Sequence, residues 1–480
     1  MNKIADETLS LTAAKRRDRQ ASQPPDDLLI LSPSSPLTSA RRLIEMRYQV
    51  EGVRTLHHQQ GTFFRWATSH YREETYEAMR AEAYAFLDAA KRSDEDGKLY
   101  DFNPNKTKVA NVLEALAAAA QLPSTTTPPA WLSGNGPAPP SEILACANGL
   151  VHLPSRRMLP HSPEFFTTNA VDYRFDRDAG DPIEWLEFLH GIWPDDPESI
   201  GTLQEIFGLA LTGDTSHQKA FLIVGPKRSG KGTIARVLTA LLGKENVAGP
   251  TLTSLSQNFG LQALIGKPLA IISDARLGGR TDAHVIAERL LSITGEDSLT
   301  IDRKFKEAWT GRLSTRFLIL SNELPQLTDA SGALASRFIV LQMERSFYGS
   351  EDLGLTSRLM QELPNILRWA MDGRDRLAAR GYFRQPESAR QALSELEDLG
   401  SPIGAFLRER CIVEPHREVE RDRFYQAWLD WCRQEGRDHP GTSITFGKQL
   451  RAAIPGIRTS QPRAAGGMRV RCYVGVGLDE

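Results

Sequence analysis

The sequence is poor in cysteine: Cys146, Cys411, Cys432 and Cys472 are the only four in 480 residues, and no two form a CxxC pair. That excludes a disulfide scaffold, and with no histidine at ligand spacing it argues against a zinc module. Long apolar runs are also missing. No stretch of about 18 apolar residues occurs, so no membrane helix is expected. The opening MNKIADETLSLTAAKRRDRQ lacks the apolar centre of a signal peptide, and a cytoplasmic protein with reduced thiols is expected. Charge of one sign is not in excess: 58 Lys and Arg face 60 Asp and Glu, a net −2. A protein that coats nucleic acid by bulk charge is thereby excluded, and any such binding must come from cations gathered on one surface. There is no internal repeat. What is present, 40% hydrophobic and 25% charged residues, suits a soluble globular chain of two to four domains.

The chain divides by composition. Residues 1–40 are polar and proline-rich towards their end, and read as a disordered lead. Residues 41–200 read as mainly helical; Tyr76, Met79, Ala83, Phe86 and Leu87 recur at helical spacing as a core face. Within them, residues 122–140 carry Pro123, Pro128, Pro129, Pro137, Pro139 and Pro140 and read as a linker. Residues 201–348 hold a compact α/β pattern, 349–389 a helical lid or connector, and 390–480 a small terminal domain.

The strongest motif is AFLIVGPKRSGKGTIARVLTALLG. Ala220 to Val224 is a short β-type apolar run. Ile234, Val237, Leu238, Leu241 and Leu242 then follow at helical spacing, with Gly243 as a stop. Between them lie Gly225, Pro226, Lys227, Arg228, Ser229, Gly230, Lys231, Gly232 and Thr233. A glycine loop between strand and helix lets backbone N–H groups converge on phosphate oxygens, and the helix N-terminus adds partial positive charge. Lys231 is placed to reach the β and γ phosphates of ATP. The usual hydroxyl after the lysine is replaced by Gly232, and Thr233 brings it one residue later, towards the phosphates or Mg²⁺.

ATP hydrolysis also needs an acid at a neighbouring strand end. Pro268-Leu-Ala-Ile-Ile-Ser-Asp274 supplies one. A second acid is not adjacent: either Asp274 acts alone, or Asp282 or Glu288 folds back. A third strand, Arg316 to Ser321, ends in Asn322, which can orient water or sense the γ-phosphate. Arg337 precedes another β-type run and reads either as a surface residue or as an arginine finger for a neighbouring subunit.

The motif series PHSPEFFTTNAVDYRFD, LQEIFGLALTGDT, GPKRSGKGT, AIISDAR, SITGEDSLTIDRKFKEAW, FLILSNELP and ASRFIVL resembles superfamily 3 helicases of the phage/plasmid primase-helicase family, related to poxvirus-type primase-helicases. The resemblance covers about residues 55–478. It implies an α/β P-loop ATPase with an AAA+-like core, flanked by a mainly helical collar-type domain and a winged helix. It also implies a homo-hexameric ring threading single-stranded DNA 3′ to 5′ in a bacterial or phage-infected cell. By the same resemblance Lys231 serves the phosphates, Asp274 the Mg²⁺, Asn322 sensing and Arg337 the finger. A separate primase or replisome protein is an implied partner.

Two regions are candidates for DNA. Arg303, Lys304, Phe305 and Lys306 fall in a hairpin between Asp274 and Asn322, where cations can hold phosphates and the aromatic a base or sugar; the resemblance makes this the pore loop. Residues 441–478 contain Lys448, Arg451, Arg458, Arg463, Arg469 and Arg471 and no acid. Helices followed by a basic hairpin fit a winged helix on duplex DNA. A polymerising domain would need strand-borne acid pairs; the DxD strings at Asp94–Asp96 and Asp176–Asp178 sit in turn-like sequence, so primase activity is not expected. The leading expectation is a replicative DNA helicase. The alternatives are an ATP-driven initiator or loader that unwinds little, and a small-molecule P-loop kinase.

Overall fold

The structure is a computed structural model that describes residues 28–275, 283–304, 306–327, 329, 332–437, 440–463 and 469–479. It separates into two compact units, one ending at Thr127 and one beginning at Pro128.

In the first unit helix α1 (Pro36–Arg47) precedes a three-stranded antiparallel sheet of β1 (Leu56–Gln59), β2 (Thr62–Trp66) and β3 (Tyr71–Glu74). Helices α2 (Tyr76–Asp88) and α3 (Lys106–Ala119) follow. The α2 face buries Met79, Ala83, Phe86 and Leu87, but Tyr76 is 58% exposed. It is the first helical residue, just after the Thr75 cap whose side chain accepts from Ala78 N–H, and so lies beyond the packed face. The expected mainly helical region therefore carries a sheet as well. The expected disordered lead differs too: residues 1–27 lie outside the described residues, and α1 begins at Pro36.

The second unit begins with a small antiparallel sheet, β4 (Ile143–Cys146), β5 (Gly149–His152) and β6 (Arg157–Leu159). Helices α4 (Ile183–Ile192) and α5 (Pro197–Ala210) lead into β7 (Ala220–Val224) and α6 (Lys231–Leu242). Then come β8 (Val247–Ala248), β9 (Leu269–Ile272) and α7 (Ala283–Thr294). A hairpin of β10 (Ser298–Arg303) and β11 (Lys306–Arg312) is followed by β12 (Arg316–Ser321), α8 (Ala333–Arg337) and β13 (Phe338–Gln342). Helices α9 (Leu355–Gln361), α10 (Leu363–Arg380) and α11 (Arg390–Gly400) complete the core.

The central sheet has five parallel strands in the order β8-β9-β12-β7-β13. A parallel sheet covered on both faces needs strands that are apolar throughout, which is how AFLIV, LAII and FIVLQ read. Alternate residues serve opposite faces. Phe221, Ile223, Leu318, Leu320, Ile339 and Leu341 share one core with α4, α5, α6 and α10. Ala220, Leu222, Phe317, Ile319, Phe338 and Val340 share another with α7 and α11.

These cores redraw the expected boundaries. Trp185, Leu189 and Ile192 of α4 join the first core together with Leu144, Val151, Val171 and Phe175, so 143–200 packs with the central sheet and not as part of a separate N-terminal domain. Ala392 and Leu396 of α11 join the second core, so the terminal module begins after it. The expected lid, 349–389, contributes α10, which crosses α5 closely. A Cβ on Gly208 would stand 2.3 Å from the Ala370 carbonyl, and one on Gly373 2.3 Å from that of Gln204.

The terminal module runs α12 (Pro402–Arg410), β14 (Glu418–Glu420), α13 (Arg421–Gln434), α14 (Ser443–Ala453), β15 (Arg458–Ser460) and β16 (Cys472–Val474). Its sheet is antiparallel in the order β14-β16-β15. Phe406, Phe424, Trp428, Trp431, Phe446 and Tyr473 form its own aromatic core.

Candidate functional site: a phosphate loop at one edge of a parallel sheet

Parallel register determines which residues can meet. Val224, the last residue of β7, pairs with Ser321, the last of β12, and Gly225 N–H donates to the Ser321 carbonyl at 3.2 Å. Ile272, ending β9, pairs with Ile319. Gly225, Asn322 and Asp274 thus emerge at the same edge, and β12 stands between the other two strands. Both Asp274 and Asn322 are exposed there.

The loop from Gly225 to Gly230 enters α6 at Lys231. Gly230 has φ +101°, and a Cβ there would come within 2.9 Å of Ile192 and 3.1 Å of Phe188, so only glycine permits α4 to close against the loop. Arg228 holds φ +60° without being glycine, a conformation that costs about 1–2 kcal/mol. The Lys231 Nζ donates to the Gly225 and Pro226 carbonyls at 2.7 Å each and to Ser229 Oγ at 3.1 Å. Burial lowers its pKa below the usual lysine value. The first turn of α6 carries no acid, so its N-terminus keeps its preference for an anion. These features fit a nucleotide's phosphates: a partly buried cation, an open helix N-terminus and a loop of backbone N–H groups. Thr233 Oγ1 accepts from Arg236 Nη2 at 3.0 Å, so a metal ion at that hydroxyl would have to displace a guanidinium. Among the described residues no cluster of three or more His, Cys, Asp or Glu has metal-holding geometry.

The segment after β13 was not singled out by its sequence, yet it lies along the loop. Met343 N–H donates to the Val224 carbonyl at 2.8 Å, Ser346 Oγ to that of Lys227 at 2.8 Å, and Phe347 N–H to that of Arg228 at 2.9 Å. Glu351 pairs with Arg228 at 3.5 Å. Only the parallel pairing of β13 with β7 could have revealed this.

Arg337 stands elsewhere. Ala220 pairs with Phe338, which sets Arg337 level with Lys219 at the starting edge of the sheet. Lys219 and Gly225 are six positions apart, roughly 20 Å at strand rise. The Arg337 guanidinium donates to the Gln218 side-chain oxygen and, at 3.5 Å, to the Gln218 carbonyl. It shares a cleft of about 400 Å³ with His284, Glu288, Asp297 and Asp329. Glu288 therefore lines the cleft on the Arg337 side. Asp282 lies outside the described residues.

The hairpin β10–β11 projects between β9 and β12 in sequence, anchored by buried Ile301. Lys304 and Lys306 are exposed. Arg303 Nε donates to the Glu307 carbonyl at 2.7 Å, and Lys304 N–H to Gln262 Oε1 at 2.9 Å. Phe305 lies outside the described residues. At the hairpin base Arg312 pairs with Glu296 at 2.5 Å. In the terminal module Lys448, Arg451 and Arg469 are all exposed. The two DxD strings form turns: Asp94 Oδ1 accepts from Asp96 and Lys98 N–H, and Asp176 Oδ1 from Asp178 N–H. No helix among the described residues is long and apolar enough to cross a membrane.

Residues 41–194 match the family described as D5 N terminal like, and residues 223–337 match a family of unknown function, DUF5906. Among solved structures, the apo C-terminal region of NrS-1 is 13% identical, with a TM-score of 0.49 over 92% of this chain and 99% of that one. An A form of that region is 13% identical, with a TM-score of 0.46 over 87% of this chain and 95% of that one. Residues 41–194 are thus similar to the D5 N terminal like family and residues 223–337 to DUF5906, and the first of these agrees with the resemblance to poxvirus-type primase-helicases.

Proposed function

We propose that the chain is an ATP-dependent DNA helicase of phage, prophage or plasmid replication, working as a homo-hexameric ring that moves 3′ to 5′ on single-stranded DNA. The observation that carries this reading is the division of its polar residues between the two edges of one parallel sheet. Lys231, Asp274 and Asn322 gather at the finishing edge, whereas Arg337 stands at the starting edge, out of reach of its own phosphate loop. Arg337 of a neighbouring subunit can add a cation at the finishing edge.

In this mechanism Lys231 and the N–H groups opening α6 hold the β and γ phosphates, and Asp274 holds Mg²⁺, with Thr233 a second candidate ligand. Bound Mg²⁺–ATP supplies the phosphoanhydride whose hydrolysis powers movement. Asn322 orients the attacking water. Arg337 from the next subunit stabilises charge on the transferring phosphoryl group. Arg303, Lys304, Phe305 and Lys306 hold the strand, since their hairpin joins the acid-bearing strand to the sensor strand and can follow nucleotide state. The terminal module has the helix–strand–helix–helix–strand–strand order of a winged helix, and its Lys448, Arg451 and Arg469 engage duplex DNA.

The test is strand displacement on a forked duplex. Displacement that needs ATP and a 3′ tail is expected. ATP-dependent assembly without displacement would make the protein a loader or initiator. Turnover indifferent to DNA, with phosphoryl transfer to a small acceptor, would make it a kinase.

A further inference from the structure

The turn that precedes β7 lies outside the phosphate-loop site, yet it touches Arg337. Residues 214–218 close on themselves: Asp214 Oδ1 accepts from Ser216 N–H at 2.8 Å, and Gln218 N–H donates to the Thr215 carbonyl at 2.9 Å. Buried Arg316 fixes the start of the turn, its Nη2 donating to the Asp214 carbonyl. At the end of the turn Gln218 offers its side-chain and backbone oxygens to the Arg337 guanidinium. In the middle Thr215 Oγ1 donates to Glu296 Oε1, the same oxygen that takes Arg312 Nη2 at 2.5 Å. Arg312 pairs with Ser298 and closes the base of the β10–β11 hairpin. One closed turn thus joins the hairpin base to Arg337.

Residues 295–297 make the same connection from the other side. Gly295 and Asp297 line the cleft of about 400 Å³ that holds Arg337. Glu296, between them, lines a second cavity of about 350 Å³ with Asp214, Thr215 and Arg312. A Cβ on Gly295 would stand 3.9 Å from Arg337 Nη2. Gln218 and Glu296 hold φ of +54° and +65° without being glycine. Backbone in that region persists only where surrounding contacts over-determine it, and such positions gather at functional sites. A folding role does not account for the Glu296–Arg312 pair. The Arg312 side chain is 58% exposed, and an ion pair that open contributes little to stability.

We propose that the turn 214–218 is the link by which single-stranded DNA on one subunit's hairpin sets Arg337 for the ATP site of the next subunit. Gln218 is a positioning residue for Arg337, and Thr215 with Glu296 carries the hairpin's displacement to the turn. This rests on the reading of Arg337 as a finger and of the hairpin as the DNA loop. It adds that DNA on a subunit stimulates its neighbour's hydrolysis, not its own.

The test is ATP turnover of the full chain with and without single-stranded oligodeoxythymidine. Thr215→Val deletes the hydroxyl and keeps the branched shape. It should leave turnover without DNA unchanged and lower the DNA-stimulated rate about 2- to 30-fold, the range for residues that couple two sites. Thr215→Ser should retain stimulation, and Glu296→Gln should lose it as Thr215→Val does. Gln218→Ala should lower kcat about tenfold, the scale of a hydrogen bond to a charged group, and leave KM for ATP unchanged, because the phosphate loop lies at the other edge. The deciding measurement mixes Thr215→Val with Lys231→Ala subunits. Only the Thr215→Val subunits can then hydrolyse ATP, and their neighbours bring an intact link, so stimulation should partly return. Stimulation that stays lost in mixed assemblies that form overturns the inference. So does wild-type stimulation of both Thr215→Val and Glu296→Gln, or an equal fall with and without DNA in both. These outcomes leave the helicase reading standing. Wild-type turnover indifferent to DNA, or full turnover in Arg337→Ala, overturns the reading beneath the inference as well.

Discussion

The two edges of the five-stranded sheet are built from the same strands and have opposite chemistry. At the finishing edge the chain leaves β7, β9 and β12 into loops, and Gly225, Asp274 and Asn322 lie within two positions of a strand end. At the starting edge the chain enters β12 and β13 through Arg316 and Arg337. Arg316 is buried; its Nη2 donates to the Thr212 carbonyl at 3.1 Å, and among the described residues its Nε and Nη1 have no hydrogen-bond partner. Burial pulls its pKa down to about 10. Arg337 is half-buried against Gln218. Parallel strands bring their ends into register, so a loop-borne site assembles at one edge, while at the other edge Arg316 is buried and Arg337 alone of the two lines a cleft.

If that division is right, the largest effect comes from the edge that is remote from the nucleotide. Arg337→Ala should cost about 10³–10⁵ in ATP turnover, as loss of an arginine finger does. Turnover should partly return when it is mixed with Lys231→Ala subunits, which keep the finger. Mixed assemblies that form yet stay inactive would remove the trans role.

Next comes the near edge. Lys231→Ala should lower turnover by about 10²–10³ or more, the scale of a lost charge-stabilising donor. Its thermal unfolding should stay close to wild type, because the lysine's hydrogen bonds among the described residues go to its own loop. A folded variant with full turnover would end the assignment.

The hairpin tests whether DNA is held between the two edges. Each phosphate contact on a single strand contributes a log–log salt slope of about −0.7. Replacing both Lys304 and Lys306 by alanine should thus flatten the slope by about 1.4 and uncouple ATP turnover from strand displacement. An unchanged slope with normal displacement would place the DNA elsewhere.

The smallest effect belongs to the first unit, which serves as a control for both edges. His57 is buried, its Nε2 3.2 Å from the Tyr71 hydroxyl and its Nδ1 accepting from Arg54 Nε at 3.3 Å. Burial first, and then the Arg54 charge, lower its pKa to about 3. The neutral ring is the folded form, so its contribution is fully present above the unfolded value near 6.5 and is lost as pH falls towards 3. Stability of this unit should decline by at most about 1.4 kcal/mol per pH unit over that range. His57→Phe should flatten the decline in pH-dependent unfolding and leave ATP turnover unchanged. A decline of the same slope in that variant would assign it to other groups.

Where sequence and structure part company, the cause is packing between distant segments. The face of α2 was legible because helical spacing is local, and only Tyr76, at the end of the stripe, escaped it. The membership of α4 and α11 in the central cores was not legible. An amphipathic face announces that it will be buried, but not against which partner. Glu288 was open as a second acid beside Asp274, since linear distance does not say which way a helix turns its acid.

The sequence by itself determined the phosphate loop, the buried strands and the polar residue at the end of each. Those depend on glycine conformational freedom, apolar runs and helix periodicity, all of which act over a few neighbouring residues. The tertiary structure alone decided the strand order that sets β12 between β7 and β9, the sheet edge at which each residue stands, and the cover of the loop by residues 343–351. These depend on pairing between strands about 100 residues apart, where many arrangements satisfy the same local pattern and only the closing of two shared cores selects one.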